Sequence, residues 1–237
     1  MKSVVAVTLD AEGTLLHPHP PVGVVYAEVI RRYGINADTI SLERSFRDSF
    51  RSVSADRRDQ VSDQAELEFW KRVVLQTLEG YDYGDKFDSI FEDLYREFGT
   101  ARRWKLVQDG VPTIKGLRER GYLVSVLSNW DSRLRQVLQE IGLEPLLDAC
   151  FISCEIGFEK PDRRIFQYVE KALSLEPQQF LHVGNSLEHD AEGAKNAGWE
   201  YLIVQTGEAL SPGHEHRVSN LGEVLLRLPN RRAGLRP

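Results

Sequence analysis

The run Val4-Val5-Ala6-Val7-Thr8-Leu9-Asp10-Ala11-Glu12-Gly13-Thr14-Leu15 opens as an almost unbroken apolar stretch and ends in a carboxylate followed by a Gly-Thr turn. Missing polar alternation marks a strand covered on both faces, the usual state inside a parallel sheet. Ligands of such sheets gather at the carboxyl ends of the strands. Asp10 therefore stands where a carboxylate can serve as nucleophile or metal ligand. Taken alone, an aspartate there also suits an ordinary strand-to-turn transition. The rest of the chain decides between the two.

A strand over residues 4–9 needs neighbours, and the chain beyond about Val111 supplies them. The pattern there predicts a helix over 112–120 ended by Gly121, a strand over 122–127, and a helix over 132–141 ended by Gly142. A short strand follows at about 150–154, then a helix over 162–173, a strand over 180–183, a helix over 190–197 closed by Gly198, and a strand over 201–204. Alternation of this kind implies a parallel sheet with right-handed crossovers.

Between the first strand and this half, the pattern from about 24 to 104 is helical. Val25, Val29 and Ile30 share a face before Gly34, and Phe46, Phe50, Phe69, Val73, Phe91, Leu94 and Phe98 recur at helical spacing. His17-Pro18-His19-Pro20-Pro21 reads as a stiff connector that cannot continue a strand. The fold class is thus α/β: a Rossmann-like parallel-sheet core over 1–16 and 106–237, with an α-helical domain inserted over 17–105.

The 237 residues suffice for a sizeable core. A net charge of −6 gives no support to a nucleic-acid partner. No apolar run is long enough to span a membrane, and no signal-type segment precedes the first strand, so a soluble cytoplasmic protein is expected. Cys150 and Cys154 read as reduced core thiols. The tail over 231–237 reads as a frayed, solvated end. Oligomeric state is left open.

Three further strand ends carry chemistry. The strand over 122–127 runs into Ser128-Asn129, Lys160 sits in Glu159-Lys160-Pro161-Asp162, and the strand over 180–183 leads into Gly184-Asn185-Ser186 with Asp190 beyond. Each has an ordinary alternative: turn chemistry for Ser128-Asn129, a solvated lysine ahead of a helix, an N-cap at Asp190. All of them nevertheless map to one edge of one sheet.

On these residues the chain resembles the haloacid dehalogenase superfamily, mostly phosphatases and other phosphoryl-transfer enzymes. Gly13-Thr14-Leu15-Leu16, the following prolines, Val22-Gly23, Tyr26 and Tyr33-Gly34 look closest to its hydrolase-domain-containing protein 3 group. The resemblance implies Asp10 as nucleophile, Ser128 and Asn129 as groups on the substrate, and Lys160 as the balancing cation. It implies Mg2+ near Asp10, Glu12, Asn185 and Asp190, a small anionic substrate, and a mobile cap formed by the helical insertion.

Two positions depart from the family pattern. Glu12 stands where phosphatases usually carry an aspartate that acts as acid and base, and its carboxylate reaches one methylene further. Asn185 replaces an aspartate at the metal, keeping an oxygen ligand without its charge, so weak magnesium binding is expected.

The expected activity is hydrolysis of a small phosphate ester through an aspartyl-phosphate on Asp10, with Glu12 as acid and base. One alternative is a metal-independent 2-haloacid dehalogenase, for which Arg44 or Arg47 would cradle halide. Another is a binding or regulatory protein with weakened catalysis. His17 and His19 read as hinge residues, His182 as a core histidine, and His214 and His216 as loop residues. His189 and Trp130 lie near the rim, and Arg51, Arg57 and Arg58 read chiefly as solvated charge.

Overall fold

A computed structural model describes residues 1, 3–55, 61–205 and 215–231. Arg57, Arg58, His214 and the tail from residue 232 lie outside the described residues. Contacts divide the chain into two units, Met1–His17 with Leu106–Pro237, and Pro18–Lys105.

The chain begins with β1 (Ala6–Leu9) and continues into β2 (Leu16–Pro18). The proline-rich connector was expected to exclude a strand, yet Leu16–Pro18 pairs with β3 (Trp104–Leu106) in a two-stranded sheet. Pro18 ends the strand, where its missing N–H interrupts no ladder.

The helical unit contains α1 (Val22–Arg31), α2 (Thr39–Ala55), α3 (Asp63–Thr77) and α4 (Phe87–Phe98). Val29 and Ile30 of α1 are buried together with Leu42, Val74, Ile90, Phe91 and Leu94, and Val25 is buried outside that cluster. Apolar residues at i, i+3 and i+4 line one helix face, and four such faces close a core. Phe50 stays 41% exposed, its ring stacked on Trp70 at 5.8 Å. A second feature is ionic: Arg103, itself buried, bonds Glu97 at 2.7 Å and Glu28 at 2.9 Å, while Arg32 and Arg102 also reach Glu97.

The α/β unit adds, in chain order, α5 (Gly110–Glu119), β4 (Leu123–Ser128), α6 (Arg133–Ile141), β5 (Ala149–Ile152), α7 (Ser153–Ile156), α8 (Arg163–Leu173), β6 (Phe180–Gly184), α9 (Gly193–Ala197), β7 (Glu200–Val204), β8 (Arg217–Val218) and α10 (Val224–Arg227). Six strands form a sheet in the order β5-β4-β1-β6-β7-β8, every pairing parallel. This is the Rossmann-like sheet expected from the alternation. β1 lies inside it with all four residues buried.

Two element boundaries differ from expectation. β5 stops at Ile152 and Ser153-Cys154 open α7, because the Ser153 hydroxyl and the Cys154 N–H both bond the Trp130 backbone. The helix expected over 190–197 is α9, preceded by a π-helical turn at Leu187–Glu192 that Ser186, not Asp190, caps. Both cysteines are free thiols, and burial pushes Cys150 up to about 12. Among the described residues no helix is long and apolar enough to cross a membrane.

Candidate active site

Parallel pairing in register brings the carboxyl ends of β1, β4 and β6 side by side. Asp10 follows β1 directly, its N–H held by the Val183 carbonyl of β6 at 2.8 Å. Ser128, the last residue of β4, donates to Asp10 Oδ1 at 3.0 Å. Lys160 donates to the same oxygen at 2.8 Å, to Asp190 Oδ1 at 2.6 Å and to the Leu127 carbonyl at 3.0 Å. An ammonium has three protons, and all three are used.

This excludes the alternative of a solvated lysine, since Lys160 is only 2% exposed. Burial alone would drive off its proton, but the Asp10 and Asp190 carboxylates outweigh that and raise its pKa. Burial would likewise keep Asp190 neutral, yet Lys160 and His182 hold it well below the usual carboxylate range. Asp10 moves the other way. Burial raises it, Lys160 opposes, and the Asp190 charge adds to the rise.

Two expected roles change. Asn129 was expected on the substrate, but its amide is spent on the Lys160 backbone, Nδ2 donating to the carbonyl and Oδ1 accepting from the N–H, both at 2.8 Å. It aims Lys160. Asp190 was expected at the metal, but its two oxygens accept four N–H donors. Lys160 and His182 reach Oδ1, and the backbone of Asn185 and Ser186 reaches Oδ2 at 3.0 and 2.9 Å. A carboxylate so engaged organises the lysine and the turn.

Gly184 makes this turn possible. A Cβ there would lie 2.1 Å from Asp190 Cγ, so only glycine lets the carboxylate lie against the strand. Gly13 has φ +82, and a Cβ on it would meet the Asn185 amide at 2.1 Å. The turn after Asp10 and the turn after β6 thus pack backbone to side chain.

Glu12 is exposed and takes no hydrogen bond among the described residues. Desolvation by surrounding protein, with the Asp10 charge adding, raises its carboxyl to about 7. The Gly13 N–H and the Ala11 carbonyl close the turn onto Leu16. The N–H groups of Ala11, Glu12 and Asn129 and the Glu12 carbonyl stay outside that bonding.

Among the described residues no group of three or more His, Cys, Asp or Glu side chains is placed to hold a metal. Oxygen donors of another kind do converge on the rim. Ser128 and Lys160 occupy Asp10 Oδ1 and leave Oδ2 without a protein donor, while the Glu12 carbonyl and the Asn185 amide are likewise uncommitted. This set fits a hard divalent cation, held by one carboxylate and two neutral oxygens.

His182 and Thr8 also belong to this centre, although the sequence reading placed His182 only in the core. Its Nε2 lies 2.9 Å from Asp190 Oδ1 and its Nδ1 2.7 Å from Thr8 Oγ1. The available signal was a histidine two residues before Gly184 in an otherwise apolar strand. His189 is exposed at the π-helical turn. Arg47 bonds Glu43 through Nε and Nη2, so its guanidinium is already paired, and Arg51 pairs with Asp48.

The haloacid dehalogenase-like hydrolase family matches residues 4–198. Haloacid dehalogenase-like hydrolase domain-containing protein 3 of Mus musculus is 31% identical over 228 residues, 92% of this chain and 91% of the relative. The HAD-hydrolase YfnB of Bacillus subtilis, described as bound to magnesium, superposes with a TM-score of 0.76 at 16% identity, covering 94% of this chain and 98% of its own. L-2-haloacid dehalogenase of Xanthobacter autotrophicus, described with chloropropionic acid covalently bound, reaches 0.68 at 19% identity over 94% of this chain and 97% of its own. These two superpositions establish the fold, and the family match with the mouse relative goes further: the chain belongs to the haloacid dehalogenase-like hydrolases.

Proposed function

We propose that the protein hydrolyses a small phosphate ester through a covalent intermediate on Asp10. One observation carries this reading: Asp10 Oδ1 is fixed by Ser128 and Lys160, which leaves Oδ2 uncommitted at the rim. An anchored carboxylate with one open oxygen is a nucleophile held in a single orientation. Oδ2 attacks phosphorus in line, the P–O bond to the leaving group breaks, and the leaving oxygen takes a proton from Glu12. Glu12, raised to about 7, holds that proton in part of the molecules at neutral pH. As a carboxylate it then draws a proton from water, which attacks phosphorus, releases phosphate and restores Asp10.

Lys160 and the free N–H groups of Ala11, Glu12 and Asn129 meet the charge on the equatorial oxygens. Mg2+, held beside Asp10 by the Glu12 carbonyl and the Asn185 amide oxygen, would supply further charge neutralisation for the anionic substrate. We assign the helical unit Pro18–Lys105 the part of a substrate-selecting cap. The test is steady-state turnover of p-nitrophenyl phosphate with and without magnesium. A rate no higher than that of Asp10→Asn would sink the reading.

Asn185 and the fully bonded Asp190 favour a second reading, in which Asp10 attacks carbon of a 2-haloacid. A C–O ester bond then forms as halide leaves, with no cation required. Halide release from 2-chloropropionate that persists in chelator would select it over the first.

A further inference from the structure

The core of the sheet contains a polar chain that the chemistry above does not use. Thr8 of β1 and His182 of β6 are register partners, and neither exposes any surface. Their apolar setting includes Phe166, whose ring stands edge-on to the imidazole at 6.1 Å. A hydroxyl and an imidazole in such a place are costly unless bonded. Both are bonded, Thr8 Oγ1 to Nδ1 at 2.7 Å and Nε2 to Asp190 Oδ1 at 2.9 Å. The same Asp190 oxygen accepts Lys160 at 2.6 Å, and Lys160 continues to Asp10 at 2.8 Å.

An ionised carboxylate only accepts, so the imidazole must carry its proton on Nε2. In a neutral ring Nδ1 then accepts, and the Thr8 hydroxyl donates to it. Room for this contact is built into the backbone, because any side chain at position 184 would collide with Asp190.

We propose that His182 is a positioning residue: anchored at Nδ1 by Thr8 with its Nε2–H on Asp190, it shares Asp190 Oδ1 with Lys160 and so sets how the ammonium divides between Asp190 and Asp10. The proposal rests on the reading of Asp10 as the reacting carboxylate. Two donors on one oxygen each receive less of it, so without His182 the Asp190 carboxylate draws Lys160 more strongly. The ammonium then withdraws from Asp10 and from the group being transferred.

The test uses the full chain as wild type, His182→Leu, His182→Gln and Thr8→Val. Long-range 1H–15N NMR reads the His182 tautomer, and lysine-ammonium 15N NMR reads Lys160. Kinetics with p-nitrophenyl phosphate gives kcat and KM separately. The wild-type ring should be the Nε2–H tautomer. His182→Leu should move the Lys160 signal and lower kcat by on the order of 100-fold with KM little changed, the scale of a misplaced catalytic group. His182→Gln, which keeps an N–H donor, should largely restore both.

An Nδ1–H wild-type ring, or a folded His182→Leu protein with an unmoved Lys160 signal, would overturn the proposal. Should His182→Leu fail to fold, Thr8→Val decides, since without the hydroxyl the ring loses its anchor at Nδ1 and should shift Lys160 in the same direction. If the wild type turns over no phosphate ester, the phosphate-ester reading falls, while the two NMR signals still decide the role of His182.

Discussion

Replacing Lys160 with methionine keeps an unbranched side chain, one atom shorter, and removes its charge. In the native site the ammonium makes three bonds, of 2.6, 2.8 and 3.0 Å, and lies between Asp10 and Asp190, each less than 10% exposed. Removing one partner of a buried ion pair costs about 3–5 kcal/mol, because the charges left behind are neither hydrated nor balanced. Total stability is on the order of 5–15 kcal/mol, so the loss is a large share of it. With a urea slope of about 3 kcal/mol/M, the unfolding midpoint should fall by about 1–2 M.

The pH dependence has a definite sign. Lys160 is raised in the folded protein, so its contribution is complete below its ordinary value of 10.5 and is lost only as pH rises through the folded value. In the methionine variant both carboxylates are buried without a cation and favour protonation. The deficit should therefore be widest near pH 8 and narrow toward pH 5. Lys160→Met/Asp190→Asn should recover part of it. The assay is urea unfolding followed by far-UV circular dichroism at several pH values. A Lys160→Met protein within about 1 kcal/mol of wild type at pH 8 would refute the argument, since that is the range of an exposed pair.

Gly184→Ala should displace the Asp190 carboxylate, since the new Cβ would lie 2.1 Å from Cγ. A cost of about 1–3 kcal/mol in denaturant melts is expected from overpacking, together with a loss of turnover on the order of 100-fold. Glu97→Gln should destabilise the protein by about 3 kcal/mol at pH 7, because it breaks the buried pair with Arg103. Burial opposes ionisation of Glu97, but hydrogen bonds from Arg103 and Arg32 outweigh it and pull the carboxyl down to about 2. Its contribution is then complete above about pH 4.5 and lost as pH falls toward 2, so acid melts of wild type and variant should converge there. Asn185→Asp adds a carboxylate to the oxygen set near Asp10 and should tighten magnesium binding in calorimetry, with an unchanged dissociation constant counting against that set.

Much of the α/β unit was legible because its signals are local. Six or fewer residues of apolar run identify β1, β4 and β6, and Gly121, Gly142 and Gly198 mark where α5, α6 and α9 stop, while Ser174 closes α8. Asp10 could be placed at a strand end on the same grounds. The missed boundaries have tertiary causes. Ser153 leaves β5 to bond Trp130, 23 residues away, and Ser186 takes the capping position that was the ordinary alternative for Asp190. Pro18 enters a strand because its partner comes from residues 104–106.

The sequence by itself determined the alternation of strands and helices, the insertion after the first strand, and the identity of the groups at the sheet rim. Helical and strand periodicity is a property of near neighbours, and it survives without knowledge of the fold. Only the tertiary structure decided what those groups do to one another. Lys160 reaches Asp10 across 150 positions and His182 reaches Thr8 across 174, contacts that exist because β1 lies in register between β4 and β6. Burial then turns a loop lysine into the cation between two carboxylates, and a core histidine into the neighbour that shares one of their oxygens. The strand-end motif Asp10-Ala11-Glu12-Gly13-Thr14 places the chemistry. Register and burial set the charges around it.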